Sequence, residues 1–477
     1  MRYSIALVLV QLHSVFAAAT PSACQQISSQ ILGDVYYRDT VSANYYSDIS
    51  HYMTSSSQNP ACVVEVASAE DVSTVMKIVG ATKTPFSVKC GGHASNPGFS
   101  STPGVFISMV RLKSISLASD KSSVTFGTGN IWSDLYSALD GTDVNVVGGR
   151  VTGPGTAGFT LGGGYSWLTD QYGLTCDTVI NYQLVLPNGT ITTVDSSTPD
   201  LNFALKGGLN RFGIVTEMTL KAVPQVGNVY GGISLYSADQ IPSLLNATEV
   251  FQRTNTDPKA QVIVTLNGGP VGQSAILLTY YDGPSKPAAF APFDKPFSYL
   301  STAKPQSFLS FSKVTPSQLS GGNRGAFHTL MTTDLTLPFM EAVYNETKHY
   351  SGLARKHGAS LLSYDIEPFG KYGQYAVDSA FPHASSPLPL NLYFAWSSLD
   401  AGEDAFWRAQ MQTSIDTLTQ VAMDEGIYAA DPAYPNYALS TYSGAQLYGE
   451  TNAARLRDIK AAVDPDGVMD LAGGFTF

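Results

Sequence analysis

Charge is scarce in this chain, and positive charge scarcer still. Only 14% of its 477 residues are charged, with 27 Lys and Arg against 38 Asp and Glu, a formal net charge of -11. No basic surface is available to neutralise phosphates or to draw the chain onto anionic lipid, so neither a nucleic-acid nor a membrane partner is expected. Long apolar runs are missing beyond the N-terminus: no later window offers the roughly 18 uninterrupted apolar residues of a spanning helix. Cysteine is limited to four, too few to staple a chain of this length. No CxxC, HExxH or paired-histidine spacing offers a zinc set, so no metal is expected. With 44% hydrophobic residues the chain is no disordered tail either; it should bury a core and divide, at about 100 to 200 residues per domain, into two to four units.

One apolar run does occur, at the start. Met1-Arg2, the stretch Ile5 to Val10, a continuation to Phe16 and Ala17-Ala18-Ala19 have the form of a signal peptide over residues 1–19, which predicts a soluble, secreted mature chain. Three sequons agree with that route, at Asn188, Asn246 and Asn345. Secretion permits disulfides, and four cysteines allow three complete pairings. Cys24 and Cys62 lie near the mature N-terminus, outside the glycine clusters, and are the favoured bridge. Cys90 and Cys176 sit beside glycine-rich segments and are read as free thiols.

Ala61 to Ala67 opens with strand character, and Ser68 with Asp71 three residues on is close to a capping box for a helix carrying Val72, Val75, Met76 and Val79 on one face. To about residue 225, short β-branched stretches alternate with glycine-rich turns. After Pro224 strands alternate with helical segments and Pro/Ser-rich loops, which suggests an antiparallel sheet with helices on one face. Phe406 to Met423 and Asn452 to Val463 read as amphipathic helices.

Gly153-Pro154-Gly155-Thr156-Ala157-Gly158 fits GxGxxG, so a Rossmann fold and a nicotinamide-dependent dehydrogenase enter as candidates. The next residues oppose them: Gly162-Gly163-Gly164 each penalise the helix that a Rossmann fingerprint must open, by about 1 kcal/mol. Bare glycine backbone can instead lie against a flat or charged ligand. The same feature recurs at Cys90-Gly91-Gly92-His93 and at Lys206-Gly207-Gly208, and three such loops in one domain read as walls of one extended cofactor site.

These residues carry a resemblance. Phe86 to Asn96 (FSVKCGGHASN), the Gly149 to Tyr165 stretch, Leu205 to Thr216 (LKGGLNRFGIVT) and Tyr434-Pro435-Asn436-Tyr437 are similar to the secreted fungal berberine-bridge-enzyme-like FAD-linked oxidases, a branch of the vanillyl-alcohol oxidase or p-cresol methylhydroxylase (PCMH)-type flavoproteins. The four motifs stand in that family's order across nearly the whole mature chain. The resemblance implies an α+β fold: a PCMH-type FAD-binding domain at 58–225, a substrate domain at 226–425 with an antiparallel sheet covered by helices, and a C-terminal segment at 426–477 that completes the FAD domain.

By the same resemblance FAD is the cofactor, joined through its 8α-methyl to a ring nitrogen of His93. The position of a second, cysteinyl link falls on Val151, which has no nucleophile, so a single covalent attachment is expected. Lys89, Cys90, Gly91, Gly92, Ala94 and Ser95, with Gly153, Gly155, Thr156, Gly158, Thr160, Gly163 and Tyr165, are expected to hold pyrophosphate and flavin. Asn210, Gly213, Ile214 and Val215 are placed along the cofactor, the last two near adenine, and Asn436 beside the flavin. Arg211 is read as an exposed arginine rather than a phosphate clamp. The family position that influences oxygen access falls near Pro154. A flavin takes hydride from a substrate C–H while a base takes the O–H or N–H proton. The family's glutamate position falls on Asn391, which cannot be that base. Tyr437 is then the first choice and Tyr434 the second, each a phenol whose pKa cationic or flavin-stabilised surroundings would depress. Tyr393 and Trp396 are candidate substrate-stacking residues. The expected activity is oxidation of an alcohol, a sugar lactol or an amine-bearing secondary metabolite, with O2 as acceptor, by a monomer. Its rivals are an oxidative cyclase or dehydrogenase of a biosynthetic pathway and a non-enzymatic secreted glycoprotein retaining the fold.

Overall fold

The computed structural model describes residues 21–40, 42–225, 227–314, 321–397, 401–430 and 432–477. The expected signal segment, residues 1–19, lies outside them. Three larger sheets and one two-stranded pair organise the described residues. The first is a small four-stranded sheet in which Asp34–Tyr36 (β1), Cys62–Glu65 (β2), Val105–Ser108 (β4) and Phe86–Lys89 (β3) lie side by side. Its strands β2, β4 and β3 run parallel, and helix α1 (Ala69–Thr82) covers it. Ser68 caps α1 by accepting from the Asp71 amide. The Asp71 carboxylate does not complete the expected box: it receives the amides of Leu32, Gly33 and Ala67, and so ties the N-terminal segment to this helix. Cys24 and Cys62 form the expected disulfide, with Cα atoms 6.1 Å apart, and Cys90 and Cys176 are free. Because the bridge closes a loop of 38 residues, replacing both cysteines by serine should lower unfolding free energy by about 2–5 kcal/mol, read from denaturant titration.

A second, five-stranded antiparallel sheet orders Ile115–Leu117 (β5), Ser123–Gly127 (β6), Ile214–Lys221 (β9), Val179–Val185 (β7) and Ile191–Val194 (β8). Between β6 and β7 run the Gly153 to Gly158 and Gly162 to Gly164 motifs. Contrary to the sequence expectation, a short helix does begin within GxGxxG, α2 (Thr156–Leu161), and it stops at Gly162 where the three glycines begin. The topology is still not Rossmann: the strand before it, Val144–Asn145, pairs antiparallel with Val223–Pro224 and belongs to no parallel βαβ unit.

The largest sheet is antiparallel throughout, running β10 (Val229–Ser237), β12 (Gly272–Tyr281), β11 (Ala260–Gly269), β14 (Ala359–Ile366), β15 (Leu388–Trp396) and β13 (Arg324–Thr332), with short edge strands beside β10. Helices α3 (Ile241–Thr254), α4 (Leu337–Ala354) and α5 (Ala401–Asp424) cover one face, as expected, and bury Leu362, Tyr364 and Ile366 of β14 with Leu390, Leu392, Phe394 and Trp396 of β15. Side chains alternate along a strand, so Leu361, Ser363 and Asp365, with Asn391 and Tyr393, must point to the opposite face, toward the first two sheets. Register aligns them in rows: Thr329 with Asn391 with Asp365, and Phe327 with Tyr393 with Ser363. Trp396 therefore does not share a face with Tyr393. It is fully buried beneath the helices and donates Nε1–H to Asp404, which removes it from the substrate-stacking set.

After α5 the chain packs against the first two sheets through α6 (Gly444–Val463), which contains a break at Gly449, and through the residues that follow it. Among the described residues no helix is long and apolar enough to cross a membrane. Asn188, Asn246 and Asn345 are all exposed, while Thr248 and Thr347 of two sequons turn inward onto backbone carbonyls of their own helices.

Candidate active site

The loop after β3 and the loop before α2 meet backbone to backbone. A Cβ on Gly91 would sit 2.2 Å from the Gly155 nitrogen, and one on Gly155 would sit 2.4 Å from the Gly91 nitrogen. Neither contact tolerates a side chain, so Gly91→Ala should separate the loops and abolish flavin retention; absorbance of the purified protein near 450 nm would check it. His93 comes next, at the edge of this junction. Its ring stacks on Tyr52, centroids 4.2 Å apart, and among the described residues neither ring nitrogen has a hydrogen-bond partner. Burial holds its imidazole neutral, with a pKa lowered to about 4. Tyr52 comes from the segment ahead of β2, and its amide donates to the Gly92 carbonyl. Sequence reasoning passed over Tyr52 because a lone tyrosine in a polar stretch has no motif.

The remaining predicted cofactor residues divide by what they do. Lys89 and Ala94 are half-buried on this loop, and Gly92 takes the left-handed backbone its motif needs, with φ of 71°. Val151, Gly153 and Pro154 are half-buried and Gly158 is exposed, forming the opposite rim. Burial raises the Cys90 thiol to about 12, so it is no thiolate. The Ser95 hydroxyl accepts from the Phe327 amide and its carbonyl accepts from Arg408, which fastens the His93 loop to β13 and α5. The hydroxyls of Thr156 and Thr160 donate to carbonyls of Asn130 and Thr156 and serve the fold. Gly163 faces Phe381, Tyr434 and Leu174. Tyr165 is placed differently from expectation: it is fully buried between the domains, its hydroxyl shared with Tyr372 and Pro387. Asn210 donates to Gly473, Gly213 packs on the Val185 carbonyl, and Ile214 and Val215 are buried in the cores. Arg211 is no surface arginine. It is 4% exposed, binds the carbonyls of Met469 and Ala472 and pairs with Asp470 at 2.7 Å, locking the chain end onto the first domain.

The C-terminal segment reaches the same cleft by three ties. Asn96 donates to the Ala438 carbonyl and accepts from the Ser440 amide, at 2.9 and 3.0 Å. Asn436 donates to Phe159 and to the Tyr434 hydroxyl, and lies where a Cβ on Gly162 would stand. Tyr434 accepts from the Gly164 amide. Tyr437 meets a group that no motif announced. Arg150 and Glu367 form a two-pronged ion pair at 2.6 and 2.9 Å, with side chains only 9% and 2% exposed. Arg150 also donates to the Tyr437 hydroxyl at 2.7 Å, and that hydroxyl reaches Glu367 Oε1 at 3.4 Å. The expectation of a depressed phenol pKa is corrected here. Burial drives Tyr437 well up, because the Arg150 charge that would oppose it is matched by Glu367, and Tyr434 rises to about 12. Glu367 itself is raised by burial, against the pull of Arg150.

On the facing sheet, Phe327 and Tyr393 pack with each other and with Tyr52, which reaches them from the segment ahead of β2, centroids 5.1 to 6.3 Å apart, and Phe327 stands 6.3 Å from Tyr437. Next to them Asn391 donates Nδ2–H to Asp365 Oδ2 at 2.9 Å. His93, Arg150, Asp365 and Tyr437 all lie deep yet keep some contact with solvent, which defines one internal cleft between the glycine loops and the large sheet. The cradle of bare backbone and the unpartnered imidazole fit FAD. Among the described residues no His, Cys, Asp or Glu cluster could hold a metal ion.

A fold of glycine loops closed by its own C-terminus defines an FAD-binding oxidoreductase, and comparison with known proteins agrees. Residues 60–195 match the model of the FAD binding domain, and residues 433–471 that of the berberine and berberine-like segment. The chain belongs to the berberine-bridge-like family of FAD-linked oxidoreductases. It is 36% identical over 488 residues to the FAD-dependent monooxygenase yanF of Aspergillus niger, covering 96% of this chain and 81% of that one. An FAD-dependent monooxygenase of Arthrobotrys oligospora is 42% identical over 239 residues, but this alignment spans only 49% of this chain and 46% of the relative. The solved BBE-like 1 protein of Physcomitrella patens superposes with a TM-score of 0.77 at 20% identity, covering 93% of this chain and 97% of that one.

Proposed function

We propose that the chain is a secreted, glycosylated, monomeric oxidase that holds FAD by a single covalent bond at His93 and oxidises an alcohol, a lactol or an amine-bearing metabolite, with O2 as final acceptor. One observation carries the reading: a neutral imidazole, held flat by Tyr52 and without a hydrogen-bond partner among the described residues, at the seam of two glycine loops. FAD, when bound, supplies the two-electron acceptance of a hydride. The rest is done by this chain. His93 tethers, and neither Val151 nor the Cys90 thiol offers a second link. Tyr437 takes the substrate's O–H or N–H proton while passing its own to Glu367, so the phenol acts as a relay and needs no low pKa of its own. Arg150 holds both partners in place throughout.

The test is mass analysis of the peptide containing His93. An adduct of FAD mass that disappears in His93→Ala supports the tether, and an unmodified peptide from yellow protein refutes it. A second reading, an oxygenating or ring-closing step in a biosynthetic pathway, is supported by the relatives' designation as FAD-dependent monooxygenases. 18O retained in product marks oxygenation, a product with a new ring marks cyclisation, and one peroxide per turnover with neither marks the simple oxidase.

A further inference from the structure

The walls of the cleft show which ligand chemistry it would recognise, on the reading above that this cleft is the substrate side of the flavin. Asn391 is 5% exposed, on the cleft face of β15, and its Oδ1 is buried without a partner among the described residues. The amide orientation is fixed by chemistry, since Nδ2–H must face the Asp365 carboxylate that accepts it at 2.9 Å. Asp365 receives only neutral groups: Asn391 and, at 3.2 Å, the Ser363 hydroxyl, with Thr265 close by. Among the described residues no lysine or arginine forms an ion pair with it. The nearby cation, Arg150, already spends both prongs on Glu367. Among the described residues the cleft thus contains one carboxylate more than its bound cations match, beside an amide oxygen that lacks a donor. A buried charge and a buried acceptor left this way are costly unless a ligand completes them. What completes them is a group with several N–H donors and a positive charge. The walls beside the pair are aromatic, with Tyr393 two residues along β15 and Phe327 across from it, 5.1 Å between ring centroids. Such faces suit a flat ring and add to the attraction for a cation.

We propose that Asp365 and Asn391 form a subsite for the ammonium group of an aromatic amine, with Phe327 and Tyr393 as the wall for its ring. Oligosaccharides and acidic metabolites would leave the carboxylate uncompensated and are disfavoured.

The probes are tyramine and tyrosol, which share a phenol and a two-carbon arm and differ in ammonium against hydroxyl. Calorimetric titration of the full chain at neutral pH should show tyramine binding about tenfold or more tighter than tyrosol, the strength of a charge-assisted hydrogen bond. Asp365→Asn should bring tyramine to within about twofold of tyrosol while leaving tyrosol unchanged. Equal affinities in the wild type, no saturable tyramine binding, or an intact preference in a folded Asp365→Asn protein each overturn the proposal. The wild-type comparison decides the matter even where the variant fails to fold. Calorimetry needs no chromophore, so failure of the flavin reading shows separately, as colourless protein.

Discussion

Tyr437→Phe should lower kcat by about 10²- to 10⁴-fold, with a much smaller change in KM, because it removes the atom proposed to move the proton and leaves the ring that lines the cleft. Stopped-flow reduction of the flavin, followed at 450 nm, reads the loss directly. Glu367 accepts from Tyr437 at 3.4 Å, so Glu367→Gln should also slow reduction and flatten its dependence on pH in the range where the carboxyl titrates. An equal loss in Tyr434→Phe with none in Tyr437→Phe would move the proton-handling role to the second tyrosine.

The largest stability effect is expected at the ion pair itself. Glu367→Leu leaves the Arg150 guanidinium buried without its partner and should cost about 3–5 kcal/mol in denaturant unfolding. Replacing both residues with apolar ones of similar volume should restore much of that loss, because desolvation of two charges is then avoided. Such a double variant would fold and remain inactive. If the single variant cost less than about 1 kcal/mol, as exposed pairs do, the pair would have to be wetter than its burial indicates.

What could be read from the residues was whatever depends on local chemistry. Paired glycines beside a histidine and an Asn-Tyr pair at 436–437 each carry their meaning along a few positions. Strand alternation was legible too, yet its phase was not: Tyr393 and Trp396 differ by three, an odd number, so a strand must send them to opposite faces. Tyr165 looked like part of a glycine motif and is interdomain core, since nothing local tells a ring against a ligand from a ring against Tyr372. The Arg150–Glu367 pair spans 217 positions, and Tyr52 reaches His93 from outside the recognised domain; both are products of tertiary folding. Arg211 was misjudged for the same reason, because its partners lie at residues 469–472, more than 250 positions away.

Residues 433–477 supply the partners of Asn96 and Gly162 and one partner of Arg150, so the glycine loops gain their outer wall only where this distant segment docks on them. A chain lacking it would keep His93 and its loop but lose that wall, and with it the tyrosine proposed to move the proton.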